Sequence, residues 1–243
     1  MQGRDVIQDE VAKHAAQARP LVMLNEHRAK KLVVAQGLRA PKSIMLTDAK
    51  DLAGIGDLAA PYAVKIVSPD VIHKSDGGFV AINLMDMCAV SDEISDMEKR
   101  ASAKGFRIDG FLVEEMAPAG IELTVGGFRD ASFGPMIMFG LGGVYVEVFK
   151  DVAFRICPID RVDVEEMLEE LICEPILRGA RGKQGVDIES LVEFLMLIGG
   201  ENGIMMNESI GIEEMDLNPV IASGDGLWVV DARVKLPGGF ADE

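Results

Sequence analysis

Hydrophobic positions along this chain change period several times, from the three-to-four spacing of a helix face to the unbroken or alternating runs of strands. Asn25 stands where a helix N-cap belongs, Ala29, Leu32, Val33 and Gln36 follow at helical spacing, and Gly37 supplies the stop. The pattern predicts a helix of about three turns there. Residues 41–46 read as a short strand and 48–57 as a second short helix. The β-branched run Tyr62-Ala63-Val64-Lys65-Ile66-Val67 predicts a strand that feeds a turn-rich stretch, 68–78, and a further strand over 79–84. A helix over 92–104 closed by Gly105, then a strand over 110–116, complete this first set.

After Pro118 the alternation of strands with helices gives way to strands in succession, over 122–129, 136–140, 144–149 and 152–157. Their short Gly-rich or Asp-containing turns predict an antiparallel sheet. Helices over 164–173 and 188–198 follow, then strands over 210–217 and 227–234. The expected organisation is α+β: an N-terminal arm (1–20), a first lobe (21–115), a second lobe (116–236) and a tail (237–243), the lobes meeting near 114–118.

Composition narrows the function classes. The 243 residues are 49% hydrophobic, which excludes a disordered chain, and the formal charge of −16 argues against a broad basic surface for nucleic acid or anionic lipid. Any anionic ligand must be held by local groups. No apolar run approaches the roughly 20 residues of a membrane helix, and the charged N-terminus is unlike a signal peptide, so the expected location is cytoplasmic. Cys88, Cys157 and Cys173 are scattered and odd in number, and the three histidines (His14, His27, His73) do not cluster. Neither a disulfide framework nor a thiolate or histidine metal site has material to draw on.

Chemistry concentrates in four places. Lys65 lies in an otherwise apolar strand; an isolated lysine usually faces water, but a buried one needs a counter-charge such as a phosphate. His73-Lys74-Ser75-Asp76-Gly77-Gly78 combines basic side chains, a hydroxyl and flexible backbone, a composition that suits either an anion cradle or an ordinary turn. The strand ending at Glu114-Glu115-Met116-Ala117-Pro118 runs into the expected inter-lobe linker, where backbone groups could meet an adenine edge while Glu122 holds ribose hydroxyls. Finally, Asp216, Asn218 and Asp231 fall on two expected neighbouring strands. Hard oxygen donors of this kind suit a Mg²⁺ shared with phosphates, because Mg²⁺ takes one or two carboxylates and keeps its other positions for water and phosphate.

Taken in order, SPDVIHKSDGG, VEEMAPAGIELTVGGFRDASFGP, FGLGGVYVEVFKDVAFRICP, LRGARGKQGVD and EEMDLNPVIASGDGLWVVDARV resemble the β subunit of ADP-forming acyl-CoA synthetases of the acetate–CoA ligase type, and more distantly that of succinyl-CoA synthetase. The resemblance implies the ATP-grasp fold, two α+β lobes clamping ADP or ATP with Mg²⁺. It implies Lys65 on the nucleotide phosphates, Ile72, His73, Lys74 and Ser75 in the loop over them, and Glu114, Glu115 and Ala117 at the adenine hinge. Glu122 would lie near the ribose, and Asp216, Asn218 and Asp231 at the metal. It further implies that His73 is a second phosphate carrier, and that a separate α subunit, in an α2β2 assembly, supplies the CoA-binding and ligase domains. One position departs from the pattern. The family loop reads HKSD-x-GG-V, so Phe79 stands where a second glycine is expected, and a left-handed backbone there would strain it. That departure favours an alternative, a non-catalytic module that senses ADP and docks a partner. A carboxylate–amine ligase on the same fold is a third reading.

Overall fold

A computed structural model describes residues 20–47, 52–71, 74, 77–143, 148–180, 182 and 185–238. Two antiparallel sheets organise them. The smaller has the order β2 (Ser43–Leu46), β5 (Gly110–Glu115), β3 (Tyr62–Val67), β4 (Val80–Leu84). Its central strands are the continuous apolar runs, as burial on both faces demands. Helix α2 (Met87–Lys104) packs Val90, Ile94, Met97 and Ala101 onto it. This helix begins five residues before the expected start, because the Asp86 carboxylate accepts from the Ala89 amide and caps it; Gly105 ends it at φ 68° as expected.

The larger sheet runs β1 (Leu21–Met23), β11 (Arg233–Pro237), β9 (Glu214–Ser223), β6 (Ile121–Asp130), β7 (Gly134–Leu141), β8 (Val152–Ile156), with β10 (Gly226–Val229) also paired to β9. Helices α3 (Arg161–Glu170) and α5 (Ile188–Gly199), with the one-turn α4 (Glu174–Leu177) between them, belong to this lobe, and α3 and α5 bury their apolar stripes in its core.

Several expectations are corrected. The single strand over 227–234 is two, β10 and β11, and residues 230–232 between them, including Asp231, are outside any strand. The strand over 210–217 starts only at Glu214 and runs on to Ser223. Of the helix over 48–57, the described part is a single 3-10 turn at Leu52–Ile55. In the strand expected over 144–149, residues 144–147 lie outside the described set, and Val148 and Phe149 are helical. The lobe division also shifts. Helix α1 (Glu26–Ala35), capped by Asn25 as expected, buries Ala29 and Val33 in the larger core, and β1 pairs with β11 of the larger sheet. Residues 21–38 therefore cross back over the second lobe, and the first lobe proper starts near β2.

Phe79 is not strained. The left-handed position is taken by Gly78 (φ 69°), while Phe79 is 1% exposed and stacks on Phe106 with ring centroids 6.0 Å apart. Its carbonyl accepts from the Ile66 amide at 3.1 Å and its amide donates to Lys74 O at 2.8 Å. The phenylalanine anchors the end of the turn in the smaller core.

Candidate functional site

The two lobes meet on a group of buried charges. Helix α1 aims Glu26 and Lys30 inward on the same stripe as Ala29 and Val33, at spacings of three and four residues. From the smaller lobe come Lys65 on β3, Glu114 opposite Ala63 on β5, and Lys74 in the turn. Lys65 Nζ donates to Glu26 Oε1 at 2.6 Å and lies 2.8 Å from Glu114 Oε2; Lys30 Nζ reaches Glu114 Oε1 at 2.5 Å and Glu26 Oε1 at 3.1 Å. Lys74 closes the circuit on Glu26 Oε2. Glu26, Lys30, Lys65 and Glu114 are all 5% exposed or less, so each charge depends on its partners.

The same joint brings the expected phosphate lysine to the expected metal region. Lys65 Nζ donates to the Val230 carbonyl at 2.7 Å, one residue before Asp231. Asp231 Oδ1 is buried and has no hydrogen-bond partner among the described residues. Asp216 and Asn218 alternate with buried Met215 and Leu217 along β9 and share the face opposite the core, and Asp216 pairs in register with Arg233. At Asn218 the pairing of β9 with β6 slips by a residue, opposite Thr124, a local bulge of the kind that re-aims side chains beside sites.

The charges perturb one another in consistent directions. Burial alone would raise Glu26, but Lys65, Lys30 and Lys74 overcome it and hold the carboxyl far below its usual range. Burial alone would lower Lys65, but Glu26, Glu114 and Asp231 hold its ammonium above its usual value. Lys30 is lowered, by burial first and then by Lys65. Asp231 is raised, by burial first and then by Glu26, against the pull of the three lysines. Burial likewise raises Asp216; Arg233 opposes this, while Asp231 and Glu214 add to it. Three lysines thus face Glu26, Glu114 and Asp231, equal in number, yet Asp231 Oδ1 is left short of a hydrogen-bond partner among the described residues.

That shortage is the test of fit for a metal. Among the described residues no three His, Cys, Asp or Glu side chains converge on one point. Asp216, Asn218 and Asp231 offer two carboxylates and an amide, a donor set that suits Mg²⁺ with phosphate and water completing its shell. A cavity of about 520 Å³ opens between the lobes beside Glu26 and Lys74, with Arg28, Arg107 and Arg233 on its walls. Its cations contrast with the acidic chain as a whole.

The remaining expected residues fall as follows. The Glu114 carboxylate is enclosed by Lys30 and Lys65, so that side chain orders the lysines, and what β5 leaves open beyond it is backbone. Glu115 accepts from the Ala59 amide at 3.0 Å. Ala117 is half-buried in the link between β5 and β6. Glu122 is exposed, and its Oε2 lies 2.9 Å from where a Cβ on Gly143 would stand; the φ of 61° at Gly143 is what favours glycine there. Ile72, His73 and Ser75 lie outside the described residues. Glu26 and Lys30 were not anticipated from the sequence. Their signal was present: the stripe of Ala29 and Val33, extended by the helical repeat, lands on both.

The sequence matches the family described as the ATP-grasp domain over residues 15–236. It is 37% identical over 231 residues to the acetate–CoA ligase [ADP-forming] I subunit beta of Pyrococcus furiosus, covering 93% of this chain and 96% of that one. It is 43% identical over 192 residues to acetate–CoA ligase [ADP-forming] I of Archaeoglobus fulgidus, but there it spans 27% of the longer protein. The fold is similar to acetyl-coenzyme A synthetase 1 of Ca. Korarchaeum cryptofilum in complex with coenzyme A and Ca-AMPCP. The TM-score is 0.81 at 37% identity, covering 97% of this chain and 100% of that one. A second structure of that enzyme holds Mg-AMPPCP with a phosphohistidine segment pointing towards the nucleotide-binding site; its TM-score is 0.71 at 37% identity, covering 96% and 99% of the two chains. Among the described residues no helix is long and apolar enough to cross a membrane.

Proposed function

This chain belongs to the ATP-grasp family, and from that footing we propose that it is the nucleotide-binding β subunit of an ADP-forming acyl-CoA synthetase. With a separate α subunit, in an α2β2 assembly, it converts acyl-CoA, ADP and phosphate to the free acid, CoA and ATP. Acyl phosphate forms on the partner, a partner histidine takes the phosphoryl group, and its mobile segment carries that group to ADP held between the lobes. In the transfer the phosphorus–nitrogen bond breaks, a bond to the terminal oxygen of ADP forms, and the imidazole keeps the electron pair and takes up a proton. His73, which precedes Lys74 in the phosphate turn, is the second carrier.

The residues of this chain act mainly by position and charge, which is how most phosphoryl transfer is accelerated. Lys65 and Lys74 hold the nucleotide phosphates. The backbone after Glu114, through Glu115 and Ala117, meets the adenine, and Glu122 the ribose. Asp216, Asn218 and Asp231 hold Mg²⁺, which when bound neutralises charge shared between phosphates. The observation that carries this reading is the contact of Lys65 with Val230 at 2.7 Å, which brings a buried lysine of one lobe next to the buried Asp231 of the other. The alternative of a non-catalytic sensor loses its main support, because Phe79 sits in the core and Gly78 carries the turn.

Mixing the chain with its α partner, acetyl-CoA, ADP, phosphate and Mg²⁺ is expected to yield ATP; none from an assembled complex, with several acyl-CoAs tried, removes the catalytic claim. The His73→Ala variant separates enzyme from sensor. It is expected to bind ADP as the wild type does and to lose turnover by at least about 100-fold, as removal of an essential group does, whereas undiminished ATP formation refutes the relay role.

A further inference from the structure

The sheet face that bears Asp216 does not end there. Strand register carries it outward in two rows, Arg233–Asp216–Gly126–Met138–Phe154 and Lys235–Glu214–Phe128–Met136–Ile156, each crossing β11, β9, β6, β7 and β8. Residues of one row share a face because alternate positions along each strand are the buried core side chains Met215, Val125, Ile137, Phe139 and Ala153. Polarity is graded along both rows. At the β11 and β9 end stand Arg233, Lys235, Asp216 and Glu214; from β6 outward the side chains are phenylalanine, methionine and isoleucine.

This apolar half is exposed. Phe154 is 44% and Ile156 49% accessible, Phe128, Met136 and Met138 are partly accessible, and the only ring contact there is the edge-on pair Phe128–Phe154 at 6.3 Å. Contiguous apolar surface of this kind marks an interaction site. Two strand spacings separate Asp216 from Met138 and three separate it from Phe154, about 10 and 14 Å, so whatever lies on this surface reaches the metal region with its tip. Gly126 is what makes the two continuous. A Cβ there would meet Met138 Cε at 3.2 Å, so the missing side chain lets the methionine lie flat toward Asp216.

We propose that this surface, built from Phe128, Met136, Met138, Phe154 and Ile156, is the platform on which the partner subunit's phosphohistidine segment rests while it delivers the phosphoryl group. The proposal rests on the function argued above and adds where the visitor lies. Three features select this occupant. The platform runs without a break into the row that holds Asp216, so a segment lying along it presents its histidine to the phosphate site. The chain matches separate β subunits over nearly their whole length, so in the function proposed above the carrier arrives from another polypeptide. Methionine and phenylalanine also form adaptable surfaces suited to a segment that binds and leaves. The segment that fits is short, apolar on the side flanking the histidine, and charged only at the phosphoryl end.

The test uses the α partner phosphorylated with acetyl-CoA and [32P]phosphate, freed of substrates, and then mixed with this chain and ADP·Mg²⁺. The double variant Phe154→Asp with Ile156→Asp is expected to transfer label to ADP at least tenfold more slowly at low partner concentration. The half-saturating concentration of phosphorylated partner should rise, while melting temperature and its increase with ADP·Mg²⁺ stay as in the wild type. Ile172→Asp, at a site 82% exposed in the link between α3 and α4, is expected to behave as wild type. Transfer at the wild-type rate by the double variant overturns the platform and leaves the function standing. A slower rate accompanied by weaker nucleotide binding overturns it too, as does a change from dimer to monomer in sedimentation with transfer intact, which would assign the surface to a second copy of this chain. Absence of transfer by the wild-type chain overturns the underlying function instead.

Discussion

Glu26 receives Lys65, Lys30 and Lys74 while nearly sealed from water, so neutralising it leaves Lys65 and Lys30 to share Glu114 and takes from Lys74 its ion pair. Removing one member of a buried ion pair typically costs about 3–5 kcal/mol, and Glu26→Gln is expected to lower unfolding stability by that order at pH 7 in urea titrations. The pH dependence has a definite sign. Because the folded protein holds Glu26 below its ordinary 4.5, its contribution is complete above that pH and is lost progressively as pH falls below it. The gap between wild type and variant should be flat from pH 5.5 to 8 and narrow on acidification; a gap that widens in acid contradicts the assignment. Asp231 is the opposite case. Its raised carboxyl shows that burial and Glu26 make its charge unfavourable in the fold at neutral pH, a cost that fades as pH drops through that raised value. Asp231→Asn is therefore expected to melt at the same or a higher temperature at pH 7.5, to lose the melting shift given by ADP·Mg²⁺, and to transfer phosphoryl groups roughly 100-fold more slowly, the scale of losing a charge-stabilising group. Lysines and aspartates of this site were legible in the sequence because their types match phosphate and Mg²⁺ chemistry. Glu26 and Lys30 were not, since a Glu–Lys pair four residues apart on a helix normally lies on the solvated side.

At the scale of elements, Phe79 joins the phosphate turn to the smaller sheet. It is buried against Phe106 and the ring is overlain by Lys104 Nζ at 5.3 Å. Truncating a buried phenylalanine costs about 3–5 kcal/mol, so Phe79→Ala is expected to destabilise the smaller lobe by that amount and to raise hydrogen exchange at the β3 and β4 amides. Unchanged protection there would mean that the turn is held by something else. The same ring shows where local reading falls short. A motif glycine was missed, but the neighbouring Gly78 already supplied the left-handed residue, and core packing decided the rest. Strand β3 was read from sequence with its observed limits because its burial makes the run apolar on both sides of Lys65. Strand β11 was fused with β10 because the two runs of residues that form them are separated only by the short link 230–232, which resembles a continuing strand until long-range pairing to β1 is known. The return of β1 and α1 to the larger sheet is likewise a property of pairing across more than 200 residues, which no local period encodes.

The whole molecule contains two apolar cores, of 35 and 13 fully buried residues among those described. The charged joint holds these cores together, so their cooperativity depends on it. Hydrophobic burial stabilises each lobe separately, whereas the ion pairs of Glu26 with Lys65 and Lys74, and of Lys30 with Glu114, exist only while the lobes touch. Lys65 makes two of the cross-lobe contacts, to Glu26 and the Val230 carbonyl, and a third contact inside its own sheet, to Glu114. Lys65→Met keeps most of the stem packing and deletes the charge. In wild-type protein, urea is expected to unfold both lobes together, with Trp228 on β10 reporting the larger lobe and amide exchange on β3 and β5 the smaller. In the variant the joint loses about 3–5 kcal/mol, and the lobe with the smaller core should lose protection at lower urea than the change in Trp228 fluorescence. A ligand bridging the lobes should couple them again in the wild type only: at 100 times its dissociation constant ADP·Mg²⁺ adds about 2.7 kcal/mol to the folded state. In the variant, which lacks the lysine proposed to hold the phosphates, the two transitions should stay apart with nucleotide present. Coincident transitions in Lys65→Met, with the wild-type midpoint, would place the coupling of the lobes elsewhere than in the buried charges.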